Sequence, residues 1–160
     1  MDKENLIAFI AKSHRNTYAA PAEIQKQNRC AEAILPGHVD YEFTDGDFSY
    51  HDSYAGNTWA PGREVVFYKG SPVWAMAYQG HSHDNFDEKF FNEEAFPFLK
   101  KALMNFDDSL PFRGPTEFSE GDFKYVFTVQ GDYQYFIGQE RVYFKGEEIF
   151  MQDVMGSIIK

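Results

Sequence analysis

The chain has one cysteine, Cys30. That excludes an internal disulfide and any metal centre built on several thiolates. No His and Asn/Asp pattern accompanies Cys30, so it reads as an ordinary thiol in a helix or loop. Basic residues are also few: 15 Lys and Arg stand against 25 Asp and Glu, for a formal net charge of −10. The cations are scattered, whereas a duplex is held by clustered cations that displace counterions. Direct binding of nucleic acid is therefore not expected, and an acidic surface is repelled by anionic membranes. No stretch nears the ~18 apolar residues of a membrane span. The opening MDKENLIAFIAKSHRN has no apolar segment of secretory type. These absences predict a cytoplasmic protein with no membrane contact. Ser-His-Asp patterning, a phosphate-cradling Gly loop and a dinucleotide fingerprint are all missing.

What the chain has is length and aromatic surface. Its 160 residues suit one domain, 1–160, large enough to bury a core. Aromatics make up 18% of it, with 17 Phe and 10 Tyr, which favours pleated, half-buried surfaces. Tyr also gives a binding face a flat apolar body with a polar tip.

Leu6, Ile7, Phe9 and Ile10 recur at helical spacing and predict a helix from about Lys3 to Tyr18. Pro21 stops it. AEIQKQNRCAEAI is a second short helix or a loop, ended by Pro36-Gly37. From Tyr41 the period becomes two. Asp45-Gly46 predicts a hairpin of type I′, followed by a strand from Phe48 to near Gly56. A second hairpin turns at Lys69-Gly70, between VVFY and VWAMAY. VWAMAY is apolar on both faces, so a central strand covered on both sides is expected. The plan then recurs: helical spacing in FFNEEAFPFLKKALM, with a helix from Glu94 or Phe96 to Asn105, a loop at Pro111 to Pro115, and strands to the end.

DGDFSY at Asp45 and EGDFKY at Glu120 mark this recurrence. Shifted by about 75 positions, Pro36 falls on Pro111, Phe43 on Phe118, Asp47 on Asp122 and Tyr50 on Tyr125. After one inserted residue, Gly62 falls on Gly138, Glu64 on Glu140, Lys69-Gly70 on Lys145-Gly146, and Gly80 on Gly156. The expectation is an α+β domain made by internal duplication of a helix-plus-antiparallel-sheet unit, with repeats at about 1–80 and 86–160. Two copies are too few for a solenoid. The halves are expected to be related by a pseudo-twofold, each burying a sheet face and a helix against the other. Acids kept in both copies, Asp47/Asp122 and Glu64/Glu140, read as structural. Their other reading is a symmetric pair of carboxylates sharing a site. One internal twofold makes a monomer the default, and exposed strand edges leave a homodimer open.

Three places carry candidate chemistry. His81-Ser82-His83-Asp84 has no counterpart after Gly156. His81, His83 and Asp84 could ligate a divalent metal, with a third side chain from His51, Asp52 or His38. The alternative is a polar loop. Arg113 lies in PFRGP, a Pro/Gly-bounded loop that would fix a guanidinium for a carboxylate or phosphate. Trp59, with Tyr54 and Arg63, is expected in a loop of the first repeat, where it could stack a planar ligand.

TYA at Thr17, PGH at Pro36, GDFSYHDSYAG at Gly46, PVWAMAYQG at Pro72, FLKKAL at Phe98, PFRGP at Pro111 and the closing Gly156-Ser157-Ile158 appear in order. Together they resemble a bacterial domain family of unknown function. Its members stand alone or follow an Xre-type helix-turn-helix in proteins with the layout of transcriptional regulators. AAPAEIQKQNRCAEAI departs from the family, which has a Gly-rich loop there, and the helix-turn-helix is absent. The resemblance implies a sensor or interaction role without DNA contact, and brings no catalytic residues with it. The expected function is a non-catalytic module binding a small molecule or a basic protein partner. Trp59, Tyr54, Arg63 and Arg113 are its candidate ligand contacts, and no cofactor is assigned. The alternatives are a metal-assisted hydrolase using the His81–Asp84 loop, or an acidic partner of antitoxin or immunity type.

Overall fold

The computed structural model describes residues 2–106 and 112–160. Pro111, where the sequence placed a loop, lies outside them. Helix α1 spans Lys3–Asn16 and α2 spans Ala22–Asn28. Strands β1 His38–Asp45, β2 Phe48–Ala55, β3 Trp59–Tyr68 and β4 Ser71–Ser82 follow. A helical segment comes next: α3 Glu88–Phe90, a π-helical turn Phe91–Ala95, and α4 Phe96–Met104. Strands β5 Glu117–Glu120, β6 Phe123–Asp132, β7 Tyr135–Phe144 and β8 Glu147–Ile158 complete the chain. The fold is α+β. No helix among the described residues is long and apolar enough to cross a membrane.

Local chemistry sets the helix ends. The Asp2 carboxylate accepts from the Asn5 N–H at 2.8 Å and caps α1. Thr17 closes α1, its hydroxyl donating to the Ser13 carbonyl at 2.8 Å, so the helix stops two residues before the expected Tyr18. Pro97 lies within the second helical segment, which runs without a break from α3 to α4. Because proline offers no N–H, it is placed in the first turn of α4, and the π-helical turn precedes it.

All eight strands join one antiparallel sheet in the order β1-β2-β3-β4-β8-β7-β6-β5. The N-terminal and C-terminal four strands therefore meet edge to edge through β4 and β8, with Tyr78 opposite Val154. This corrects the expectation that two sheet faces pack on each other. Pairing satisfies the open edges of β4 and β8 directly, and a β-edge left unpaired is costly.

The helices cover one face only. From β4, Trp74 and Met76 point into the core, while Ala77 on the alternate face is exposed. VWAMAY is central, as read, but covered on one side rather than both. The small Ala side chains made the open face look apolar.

Turn chemistry is legible at both hairpin pairs. Lys69 and Gly70 have φ of 51° and 79°, and Lys145 and Gly146 have 52° and 84°. Those are type I′ turns, which require positive φ at both central residues. Gly46 has φ 61° and Asp47 is not in the left-handed region. The β1–β2 turn is therefore type II′, not the type I′ read from Asp45-Gly46: glycine occupies the first central position, not the second.

Helix packing recurs across the sheet. Phe9 of α1 stacks on Phe48 at 4.8 Å and lies 5.9 Å from Phe43. Phe98 of α4 stacks on Phe123 at 4.9 Å and lies 5.7 Å from Phe118. Lys12 pairs with Asp45, and Lys101 with Glu120. Bulges fall at Val66/Phe67 and at Val142/Tyr143. Trp74, Phe136 and Phe112 stack beneath the central strands and join the two helix-covered halves in one core.

Candidate functional site

Period-two alternation sends half of each strand to the uncovered face. Exposed there are Trp59, Tyr135, Ile137 and Met155, four of the largest apolar side chains left in contact with solvent. Beside them lies a concavity of about 730 Å³ crossing β4, β8, β7 and β6. Ala77, Ile137 and Met155 supply its apolar surface, and Gln79, Gln130 and Gln139 its amides. Gln139 Nε2 donates to Asp153 Oδ1 at 2.8 Å, and Arg141 Nε donates to Gln139 Oε1 at 2.8 Å. The amide of Gln139 is thus held in place. The volume is in the range of small-molecule sites, roughly 300–1,000 Å³.

The covered face holds a second constellation. Arg113, in the turn after α4, is 5% exposed. Its Nε donates to Glu140 Oε2 at 3.0 Å, and its Nη1 lies 3.6 Å from Glu64 Oε1. The guanidinium also lies 4.7 Å from the Tyr18 ring centre and 5.8 Å from that of Tyr78. Glu140 receives two further bonds, from Tyr125 OH at 2.5 Å and from Gln152 Nε2 at 2.7 Å. Glu64 Oε2 meets His14 Nε2 at 2.7 Å. Asp52, the cross-strand partner of Glu64, accepts from Tyr78 OH at 2.7 Å through Oδ1. Gly114 makes room: a Cβ there would stand 2.8 Å from the Tyr125 ring and hydroxyl.

Burial decides the charge states. It pushes Asp52 well above the usual carboxylate range, and Glu64 adds to the push. Burial also raises the phenols of Tyr18, Tyr50, Tyr78 and Tyr125, which stay neutral. It works against the Arg113 charge, but Glu140, Tyr18 and Glu64 more than offset it. The cluster thus has a guanidinium held charged between two glutamates, beside an aspartate whose carboxyl is pushed up by burial and by Glu64.

The residues picked from the sequence do not meet in one place. Trp59 and Arg63 are in β3 and face the open side. Tyr54 is in β2 and turns to the covered side, where its Cβ would stand 2.7 Å from a Cβ at Gly62. The expected loop around them is a pair of strands, because Tyr54, Arg63 and Trp59 follow a two-residue alternation across Gly56. Arg113 is in a turn, as read, but is enclosed rather than presented to solvent. The His81 ring packs 4.9 Å from the Trp59 ring, and His83 Nε2 lies 3.2 Å from Glu148 Oε1. Asp84 is exposed. The His81 and His83 rings are 5.6 Å apart. His51 pairs with Asp40 at 3.1 Å and His38 with Ser53 at 3.0 Å. Among the described residues, no three His, Cys, Asp or Glu come together as metal ligands would.

Asp47 and Asp122 lie beside their turns, 3.4 Å from Lys69 and 3.8 Å from Lys145. Glu64 and Glu140, weighed as a carboxylate pair, do converge, on Arg113. The sequence reading missed their companions His14, Tyr18, Tyr78, Tyr125 and Gln152. The available signal was alternation: Asp52, Glu64, Glu140 and Gln152 fall on the apolar face of their strands.

A family model described as Domain of unknown function (DUF5680) matches residues 52–159, and the chain belongs to that family. No curated protein and no solved structure matches it.

Proposed function

From membership of a family without an assigned activity, we propose a non-catalytic binding module that senses or regulates, acting in the cytoplasm. It is a single domain built by internal duplication. The recurring turn pairs, bulges and helix-to-strand ring stacks support that origin, as does the pairing of Tyr78 with its repeat counterpart Val154. The observation carrying the binding role is the open-face groove of about 730 Å³. Exposed Ile137 and Met155 beside three glutamine amides suit an uncharged small molecule with an apolar body and both donors and acceptors. Trp59 and Arg63, on the same face in the first half, extend this surface. The buried Arg113 cluster serves as the support beneath it.

Nile red, a neutral apolar dye, tests the groove. Wild-type protein is expected to bind it saturably with a rise in emission. Met155→Arg, at an exposed position, is expected to weaken binding about tenfold without moving the unfolding midpoint. Trp59→Ala is expected to weaken it less. Equal binding by Met155→Arg and wild type would remove the groove as the site.

A further inference from the structure

The two buried glutamates differ in how their neighbours are satisfied. Tyr125 OH donates to Glu140 Oε1. Tyr50 occupies the matching place beside Glu64, yet among the described residues Tyr50 OH and Glu64 Oε1 have no hydrogen-bond partner. Among the described residues Tyr18 OH, Asp52 Oδ2 and His14 Nδ1 have no partner either. Tyr50, Asp52, Glu64 and His14 are at most 1% exposed. Buried polar groups are nearly always bonded to protein or ordered water, and leaving one unmet costs more than most bonds gain. The four oxygens among them, on Tyr18, Tyr50, Asp52 and Glu64, therefore point to a common small occupant.

The donors and acceptors identify it. Tyr78 O–H donates to Asp52 Oδ1, which assigns Oδ1 as the carbonyl oxygen and leaves the acid proton on Oδ2. The occupant must accept from Tyr50 O–H and Asp52 Oδ2–H, and donate to Glu64 Oε1 and the Tyr18 oxygen. A water molecule makes two bonds of each kind and meets all four. We propose that Tyr18, Tyr50, Asp52 and Glu64 enclose an internal water site that holds one acid proton on Asp52 beside the Glu64 carboxylate.

The surrounding charges keep the proton there. From α1 and its end come His14 and Tyr18, and from β4 comes Tyr78. Arg113 and Glu140 face the cluster from the far side, and the Asp40 carboxylate of β1 adds negative field. One guanidinium already serves two glutamates, so a third buried negative charge would have no guanidinium of its own among the described residues. In the second half Phe127 fills the place of Asp52 opposite Glu140, and no proton needs to be held.

The linkage has a definite sign. Burial raises the folded-state pKa of Asp52 above its unfolded value of ~3.9. In the window above that value the folded protein holds a proton that the unfolded chain has released. Stability from this group is thus full at low pH and falls as pH rises toward the folded pKa.

Two measurements test the site. The infrared spectrum of folded wild-type protein at neutral pH is expected to show a protonated carboxylic acid band, which Asp52→Asn removes. The ratio of wild-type to Asp52→Asn folding constants is expected to fall by up to about tenfold per pH unit within that window. No acid band in the wild type, or a band that survives Asp52→Asn, overturns the proton assignment. If Asp52→Asn does not fold, the wild-type spectrum still decides. A high-resolution crystal structure is expected to show solvent within bonding distance of Tyr50 OH and Glu64 Oε1. A direct Tyr50–Glu64 bond with no solvent overturns the water site.

Discussion

Glu64 and Glu140 occupy matching places in the two halves, and Arg113 touches both. Glu140 is closed: Arg113, Tyr125 and Gln152 all donate to it. Glu64 is open: among the described residues, His14 is at one oxygen and only the more distant Arg113 at the other. The difference lies in a few positions. Where the first half has His14, Asp52 and Met76, the second has Leu103, Phe127 and Gln152 in the corresponding places on the helix and strands. A frame that packs the same rings on the same turns thus holds two unlike polar interiors.

The largest break in this comparison comes from Arg113→Ala. It strands both glutamates in the interior, and removing one partner of a buried pair costs about 3–5 kcal/mol. Urea unfolding should show the loss in full. A small change would return Arg113 to the ligand-contact role the sequence suggested. The next effect separates the tyrosines. Tyr125→Phe removes a made bond to a buried carboxylate and should cost roughly 1–3 kcal/mol. Tyr50→Phe removes a bond to the proposed internal water and none to a protein group, and should cost under about 1 kcal/mol. Equal losses, measured the same way, would make the two halves alike after all. The smallest effect belongs to the turn pairs. Lys69→Ala and Lys145→Ala break exposed ion pairs of 3.4 and 3.8 Å, and neither should move the unfolding midpoint measurably.

Much of the fold was legible. The change of period at Tyr41, the Gly-containing turns and the recurring GDF phrase located the strands and the hairpins. Helical spacing located α1 and the segment ending in α4. Three things were misjudged for physical reasons. Whether a sheet face is covered depends on where the helices lie, so VWAMAY, with alanines outward, read as covered twice. Edge-to-edge and face-to-face joining bury similar apolar side chains, so the alternation in β4 and β8 suits either. A strand that resumes after Gly56 looks like a loop, because Asn57, Thr58 and Pro61 are turn formers. The site was less legible still. Arg113 drew attention for its Pro/Gly setting, which describes the local backbone and not the solvent above it.

By itself, the chain's order of residues determined the elements. Alternation, helical spacing and turn glycines are local physics, and each acts within a few residues. It also determined that matching acids recur at Glu64 and Glu140. Only the tertiary structure decided what those acids mean. Pairing β4 with β8 made one sheet from two sets of strands, and the turn after α4 then carried Arg113 beneath it, within reach of both glutamates. Such encounters lie dozens of residues apart along the chain, and burial, which sets the charge of Asp52 and the demands of Tyr50, exists only once the sheet and helices have closed over them.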